Sequence, residues 1–324
     1  MLSTSPAVSN PAPHELFHQT SGPFRENLDI DSFAFSHNLE GHPLFELPRL
    51  AELSKKVIAA NTGNLNHHVI CKIAESVPNI ARQWENFLPV ERVHETIRHI
   101  EESGSWILIT GAQVDADYRK LLDDLIADLE QACKTPLKSE IMWSCLSILV
   151  GSPNSVTHYH MDSETNFLFQ IHGSKEAHLF DQRDRSILSE EEIEIFNAVD
   201  GKHIKFRDDF SAKERVFNLT PGTGIHIPVN APHWVRNLNE YSVTLSILFY
   251  RKDMTRRAWV YQTNHLIRKL GMTPTPPGRL QFIDRVKCGI IGALSRRSPR
   301  DKHDILKSGY RRLAKPLKVA RILR

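Results

Sequence analysis

A chain of 324 residues with 40% hydrophobic and 24% charged residues can bury a sizeable core and has ordinary globular composition. Four widely spaced cysteines (Cys71, Cys133, Cys145, Cys288), with no Cys-x-x-Cys, argue against a disulfide framework or a thiolate zinc site; with no bilayer-length apolar run and no secretory-signal pattern, they predict a cytoplasmic location. The net charge of +3 hides a division, because residues 251–324 carry 20 Lys and Arg against 4 Asp and Glu, whereas residues 1–250 carry 21 against 34. An acidic body at −13 is therefore followed by a basic tail at +16.

Residues 1–25, rich in Ser, Thr, Pro and Ala, read as a flexible segment. Residues 26–135 read as a mixed scaffold without recognisable chemistry. Alternation predicts a strand at Phe33-Ala-Phe-Ser. Apolar residues at helical spacing predict a helix from Leu47 to Ile58 buried through Leu50, Leu53 and Val57. A second helix from Pro89 to Ile100 would bury Val90, Val93, Ile97 and Ile100. A third from Tyr118 to Glu130 would bury Leu121, Leu122, Leu125, Ile126 and Leu129. Between the last two, Gly104 to Thr110 reads as a buried strand.

Residues 136–250 change to strands. These are Ile141 to Val150, the segment through residue 160, Asn166 to His172, Lys175 to Phe180, Ile225 to Pro228 and Ser242 to Tyr250, parted by Gly/Pro turns. Many short strands of this kind predict an α+β chain with a mainly β core, a double-sheet jelly roll rather than a parallel α/β fold. An acidic helix capped by Ser189 and an irregular polar loop interrupt it at 186–216. Residues 251–324 form a helical tail, with helices predicted over 257–270, 280–294 and 304–313.

The chemistry concentrates in Thr157-His-Tyr-His-Met-Asp162. On an extended segment, His160 and Asp162 point to the same side and can grip one metal ion. A third ligand must come from elsewhere, and His233 in Ile225-His-Ile-Pro-Val-Asn-Ala-Pro-His-Trp-Val235 is the preferred candidate. Two imidazoles and one carboxylate on one face leave positions open for a co-substrate and oxygen, the arrangement of non-haem iron(II) oxygenases. His158 shares the parity of His160, and His226 lies seven residues before His233, so both stand as alternative ligands. His172 and His178 read as structural or surface residues.

The stretch from Val156 to Phe180 resembles the core of the JmjC (cupin-like) oxygenases. It is similar in particular to the branch containing the asparaginyl hydroxylase of hypoxia-inducible factor. The match rests on a Thr three residues before the His of His-x-Asp, an Asn four residues after the Asp and a Lys fifteen residues after the His, here Thr157, Asn166 and Lys175. The resemblance covers about residues 140–250 and implies a double-stranded β-helix, Fe(II), 2-oxoglutarate as co-substrate and O2. It implies that Lys175 and Thr157 receive the far carboxylate and that Asn166 helps to hold the co-substrate. A solvated turn lysine is the alternative for Lys175. One departure stands out: Leu248 occupies the position where that branch carries a second co-substrate asparagine, so its substrate is not carried over.

The resulting expectation is hydroxylation of a protein, peptide or amino-acid side chain, with release of succinate and CO2. The alternative is a non-catalytic cupin-like metal-binding sensor, against which the presence of Lys175 counts. The tail reads first as a solvated helical bundle or a homodimer element. Attraction of an acidic partner or nucleic acid, or a membrane-surface helix over 316–324, are its other readings.

Overall fold

The structure, a computed structural model, describes residue 17 and residues 23–60, 68–74, 87–199, 204–295 and 302–319, with side chains from 304 to 315 in the last stretch. In chain order the elements are α1 (Pro23–Asn27), β1 (Phe33–Ser36), α2 (Leu47–Ala60), β2 (His68–Ile73), α3 (Val93–Arg98), β3 (Ser105–Thr110), α4 (Ala116–Cys133) and α5 (Leu137–Glu140). There follow β4 (Ile141–Gly151), β5 (Val156–His160), β6 (Thr165–His172), β7 (Lys175–Leu179), α6 (Glu190–Ala198), β8 (Arg215–Leu219), β9 (Thr223–Ile227), β10 (His233–Asn237) and β11 (Ser242–Arg251). The tail holds α7 (Lys252–Lys269), α8 (Gln281–Leu294) and α9 (Lys302–Val319).

The strands form two antiparallel sheets, one in the order β1-β9-β6-β11-β4-β3-β2 and one in the order β5-β10-β7-β8. This is the jelly-roll core anticipated from the strand-rich middle of the chain. Period-two alternation assigns the faces of the larger sheet. Phe167, Phe169 and Ile171 of β6, Val243, Leu245, Ile247 and Phe249 of β11, and Leu146, Ile148 and Val150 of β4 pack in one apolar core with Leu50, Leu53 and Val57 of α2 and Leu122, Leu125 and Leu129 of α4. The intervening residues Asn166, Leu168, Ser246, Leu248, Ser147 and Leu149 line an internal cavity. One face thus buries hydrocarbon under helices, and the other is free to carry polar groups.

Local differences from the sequence reading have physical causes. The expected flexible segment falls mostly outside the described residues, but Phe17 and Phe24 within it are buried among Phe33, Phe35, Phe167 and Phe169. The helix expected from Pro89 opens as a 3-10 turn over Val90–Arg92, leaving Val90 39% exposed, while Val93, Ile97 and Ile100 are buried. β2 and β10 carry no clear alternation and are found only through their partners β3, β5 and β7. The loop after α6 is less polar than its composition suggests: Phe210, on a 3-10 turn over Asp208–Lys213, is buried beside Tyr159, Phe180 and Trp234. α6 begins as expected, with a Ser189–Glu192 capping box.

Among the described residues no helix is long and apolar enough to cross a membrane. The stretch read as a membrane-surface helix, 316–324, has no described side chains.

Candidate metal centre

β5 and β10 run antiparallel in the smaller sheet and place His160 opposite His233. Asp162 follows the end of β5, its backbone carbonyl accepting from the Asn230 N–H at 2.8 Å. His160 Nε2 lies 3.8 Å from Asp162 Oδ1 and His233 Nε2 lies 3.9 Å from Asp162 Oδ2. One ligand atom from each of the three lies within 4.8 Å of the others, the only such group of His, Cys, Asp or Glu among the described residues.

The tautomers are set by the backbone. His160 Nδ1 is 2.6 Å from the His158 carbonyl and His233 Nδ1 is 2.9 Å from the Ala231 carbonyl. A carbonyl only accepts, so each Nδ1 carries the proton and each Nε2 presents its lone pair towards Asp162. Burial, with His160 beside it, lowers the pKa of His233 to about 4 and keeps its imidazole neutral at physiological pH. Asn166 donates from Nδ2 to Asp162 Oδ2 at 2.9 Å and accepts from Ser246 Oγ at 2.8 Å, which orients the carboxylate. Two imidazoles and an oriented carboxylate suit a divalent first-row metal with open positions.

The alternative ligands lie elsewhere. His226 is buried on the opposite face of its sheet against Phe33 and Phe167, accepting from the Asp29 N–H at Nε2 and hydrogen-bonded through Nδ1 to the Asn166 carbonyl. Burial lowers its pKa to about 4, as befits a core histidine. His158 is buried in the cavity wall outside the three-residue group. His172 stacks on Tyr241 and His178 on Trp234.

Beyond the three residues a cavity of about 340 Å3 extends between the sheets, lined by Thr157, Asn166, Lys175, Leu248 and others. Lys175 is 5% exposed, so the solvated-turn reading does not hold for it. Its Nζ donates to Thr244 Oγ1, which donates to Gln170 Oε1 at 2.9 Å, and Gln170 Nε2 donates to Ser242 Oγ at 3.0 Å. No carboxylate pairs with Lys175 among the described residues, and burial lowers its pKa to about 7. An ammonium has three donors, so two remain for a ligand.

Thr157 Oγ1 accepts from Trp106 Nε1 at 2.9 Å, leaving its own O–H to donate. Thr157 and His160 both line the cavity although their spacing is odd. A bulge in β5, where three steps from Thr157 to His160 oppose two from Val235 to His233, reconciles them.

The N-terminal half, read from sequence as scaffold without chemistry, supplies a wall of this cavity. His68, Ile70 and Lys72 of β2 and Trp106, Leu108 and Thr110 of β3 line it. Thr244 and Trp106 are the contributors that sequence reasoning missed. Alternation along β11 and β3 carries their signal once the cavity face of each strand is known.

The family model for the cupin-like domain matches residues 79–255, more than half of the chain. HSPB1-associated protein 1 of Rattus norvegicus is 28% identical over 132 residues, 35% of this chain and 28% of that protein. JmjC domain-containing protein A of Dictyostelium discoideum is 30% identical over 112 residues, 32% of this chain and 43% of that protein. The chain thus spans less than half the length of these curated relatives. Among solved structures, Escherichia coli ycfD aligns over 85% of this chain and 67% of its own at 13% identity and a TM-score of 0.47. The structure of YcfD, a ribosomal oxygenase, with cobalt and 2-oxoglutarate aligns over 85% and 66% at 13% identity and a TM-score of 0.45. By the extent of the family match, this chain belongs to the cupin-like domain family.

Proposed function

We propose that the chain is an Fe(II)- and 2-oxoglutarate-dependent oxygenase that hydroxylates a protein, peptide or amino-acid side chain. The observation that carries this reading is Lys175, a buried amine without an anionic partner among the described residues, in the same cavity as His160, Asp162 and His233. A buried lysine cation costs several kcal/mol unless paired, so the cavity calls for an anion as well as a metal. A keto-dicarboxylate answers both demands, with its keto-acid end towards the metal site and its far carboxylate at Lys175. The coupled oxidation of 2-oxoglutarate to succinate and CO2 by O2, with transfer of one oxygen atom to a substrate C–H bond, is the chemistry that a ferrous ion supplies there.

The roles of the chain's own groups follow from their contacts. His160 and His233 offer Nε2 lone pairs, held by Nδ1–H bonds to carbonyls. Asn166 fixes the Asp162 carboxylate, and Ser246 fixes Asn166. Lys175 and the Thr157 hydroxyl receive the far carboxylate, Lys175 being held by Thr244 and Thr157 by Trp106. Leu149, Leu168, Ile227 and Leu248 give the cavity apolar walls, which limit access of water. A metal-binding sensor without turnover would explain the three ligands but would have no use for Lys175.

The test is succinate formation from 2-oxoglutarate under air with added Fe(II). The wild type is expected to turn over slowly without its substrate, and His160→Ala and Lys175→Ala to abolish the signal. Turnover that persisted unchanged in both variants would contradict the assignment.

A further inference from the structure

A second cavity, of about 260 Å3, lies against the metal centre on the far side of a shared wall. Asp162 lines the metal cavity and Ser163 the second one. Ile227 and Asn230 divide in the same way, as do Phe196 and Asn197. Neighbouring residues of one backbone therefore wall both cavities beside the metal-site carboxylate.

The lining is charged, and its ion pairs leave one guanidinium, the exposed Arg257, and one buried acceptor to spare. Four arginines, Arg183, Arg185, Arg251 and Arg257, face two aspartates, Asp29 and Asp253. Both aspartates are taken by Arg251, at 2.6 and 3.2 Å. Arg183 holds Asp181 and Arg185 holds Glu190. Arg257 forms no ion pair among the described residues; its only hydrogen bond is to the Tyr261 hydroxyl, at 3.5 Å. On the same lining, Asn230 is only 6% exposed, and its buried Oδ1 has no hydrogen-bond partner among the described residues. The Asn230 backbone sits at φ 62°, and its N–H donates to the Asp162 carbonyl at 2.8 Å, which ties this residue to the metal-site loop. A buried acceptor left unpaired is costly, so a ligand N–H that donates to it gains affinity.

We propose that this cavity binds an acidic residue of the polypeptide substrate, its carboxylate on Arg257 and an adjacent N–H on Asn230 Oδ1. The neighbouring part of the same chain then enters the metal cavity. The volume of about 260 Å3 is enough for one amino-acid side chain with its flanking peptide groups. This assignment rests on the oxygenase reading and narrows its substrate class to acidic peptides.

The test is direct binding by calorimetry to the metal-loaded full chain, with saturating 2-oxoglutarate so that Lys175 is occupied. The probes are N-acetyl-glutamate N-methylamide, its glutamine counterpart and free glutamate. The expected results are binding of blocked glutamate, at least about tenfold weaker binding of blocked glutamine, and a similar loss in Arg257→Gln. Arg257 is at the surface, so that variant should fold, with an unchanged melting temperature as the check. Lys175→Met should leave the affinity for blocked glutamate intact. Equal binding of the glutamate and glutamine probes overturns the proposal, as does binding of free glutamate alone, or loss of binding in Lys175→Met but not in Arg257→Gln. Failure of 2-oxoglutarate itself to bind would instead count against the oxygenase reading, and is measured separately in the same cell.

Discussion

Lys175 is the residue on which the chemistry turns, and its environment makes a quantitative expectation. Burial holds its pKa at about 7 before any ligand binds, and a bound carboxylate would raise it again. Affinity for 2-oxoglutarate should therefore be greatest below pH 7 and fall as pH rises above it, approaching tenfold per unit, with proton uptake on binding. Calorimetry in buffers of different ionisation enthalpy reads that proton directly, and a pH-independent affinity would contradict it. Asn166→Ala should weaken metal binding by about 10- to 100-fold, because it removes the group that orients Asp162; competition with a metal indicator dye measures this. The spacing of His160, Asp162 and Lys175 was legible in the sequence because strand parity and the resemblance to the JmjC oxygenases agree. What was not legible is the shared facing of Thr157 and His160, since a one-residue bulge reverses parity and leaves no mark in composition. Spacing alone did not separate His233 from His226; the sequence around His233 favoured it, and the opposite faces of the fold keep His226 apart from the site.

At the level of elements, the strands were readable wherever alternation or turn residues framed them, as in β4, β6 and β11. β2 was not readable, because in His68–Ile73 the apolar Ile70 sits between His68 and Lys72 on one face, which hides the alternation with Val69, Cys71 and Ile73 on the other; the strand shows itself by pairing with β3. Missing β2 meant missing that the N-terminal half walls the cavity. Trp106 of β3 tests this wall: Trp106→Phe removes the donor to Thr157 and should weaken 2-oxoglutarate binding about fivefold without loss of the fold. The turn between β6 and β7 is the other sensitive element. Gly173 has φ 71°, and a Cβ there would sit 2.2 Å from the Tyr241 carbonyl oxygen. Gly173→Ala should therefore cost about 2 kcal/mol or more in urea unfolding and displace Lys175, two residues on.

For the whole molecule, the division into an acidic body and a basic helical tail was plain from charge counting, and the tail helices followed from periodicity. How the tail packs was not, since its buried contacts to α6 depend on the assembled core. The pH dependence of stability belongs to this scale. His226 and His233 have folded-state pKa values near 4 against 6.5 for the free side chain. Between these values the unfolded chain binds more protons, so stability is fully present above about pH 6.5 and is lost as pH falls towards 4. The loss is about 3 kcal/mol per histidine. Thermal melting of the metal-free protein from pH 7.5 to 4.5 checks it.

The most direct test of the account is 2-oxoglutarate binding to the anaerobic, Fe(II)-loaded protein. The account predicts binding that requires the metal, disappears in His160→Ala and falls at least about tenfold in Lys175→Met. No binding to the metal-loaded wild type, or equal binding in Lys175→Met, would contradict it.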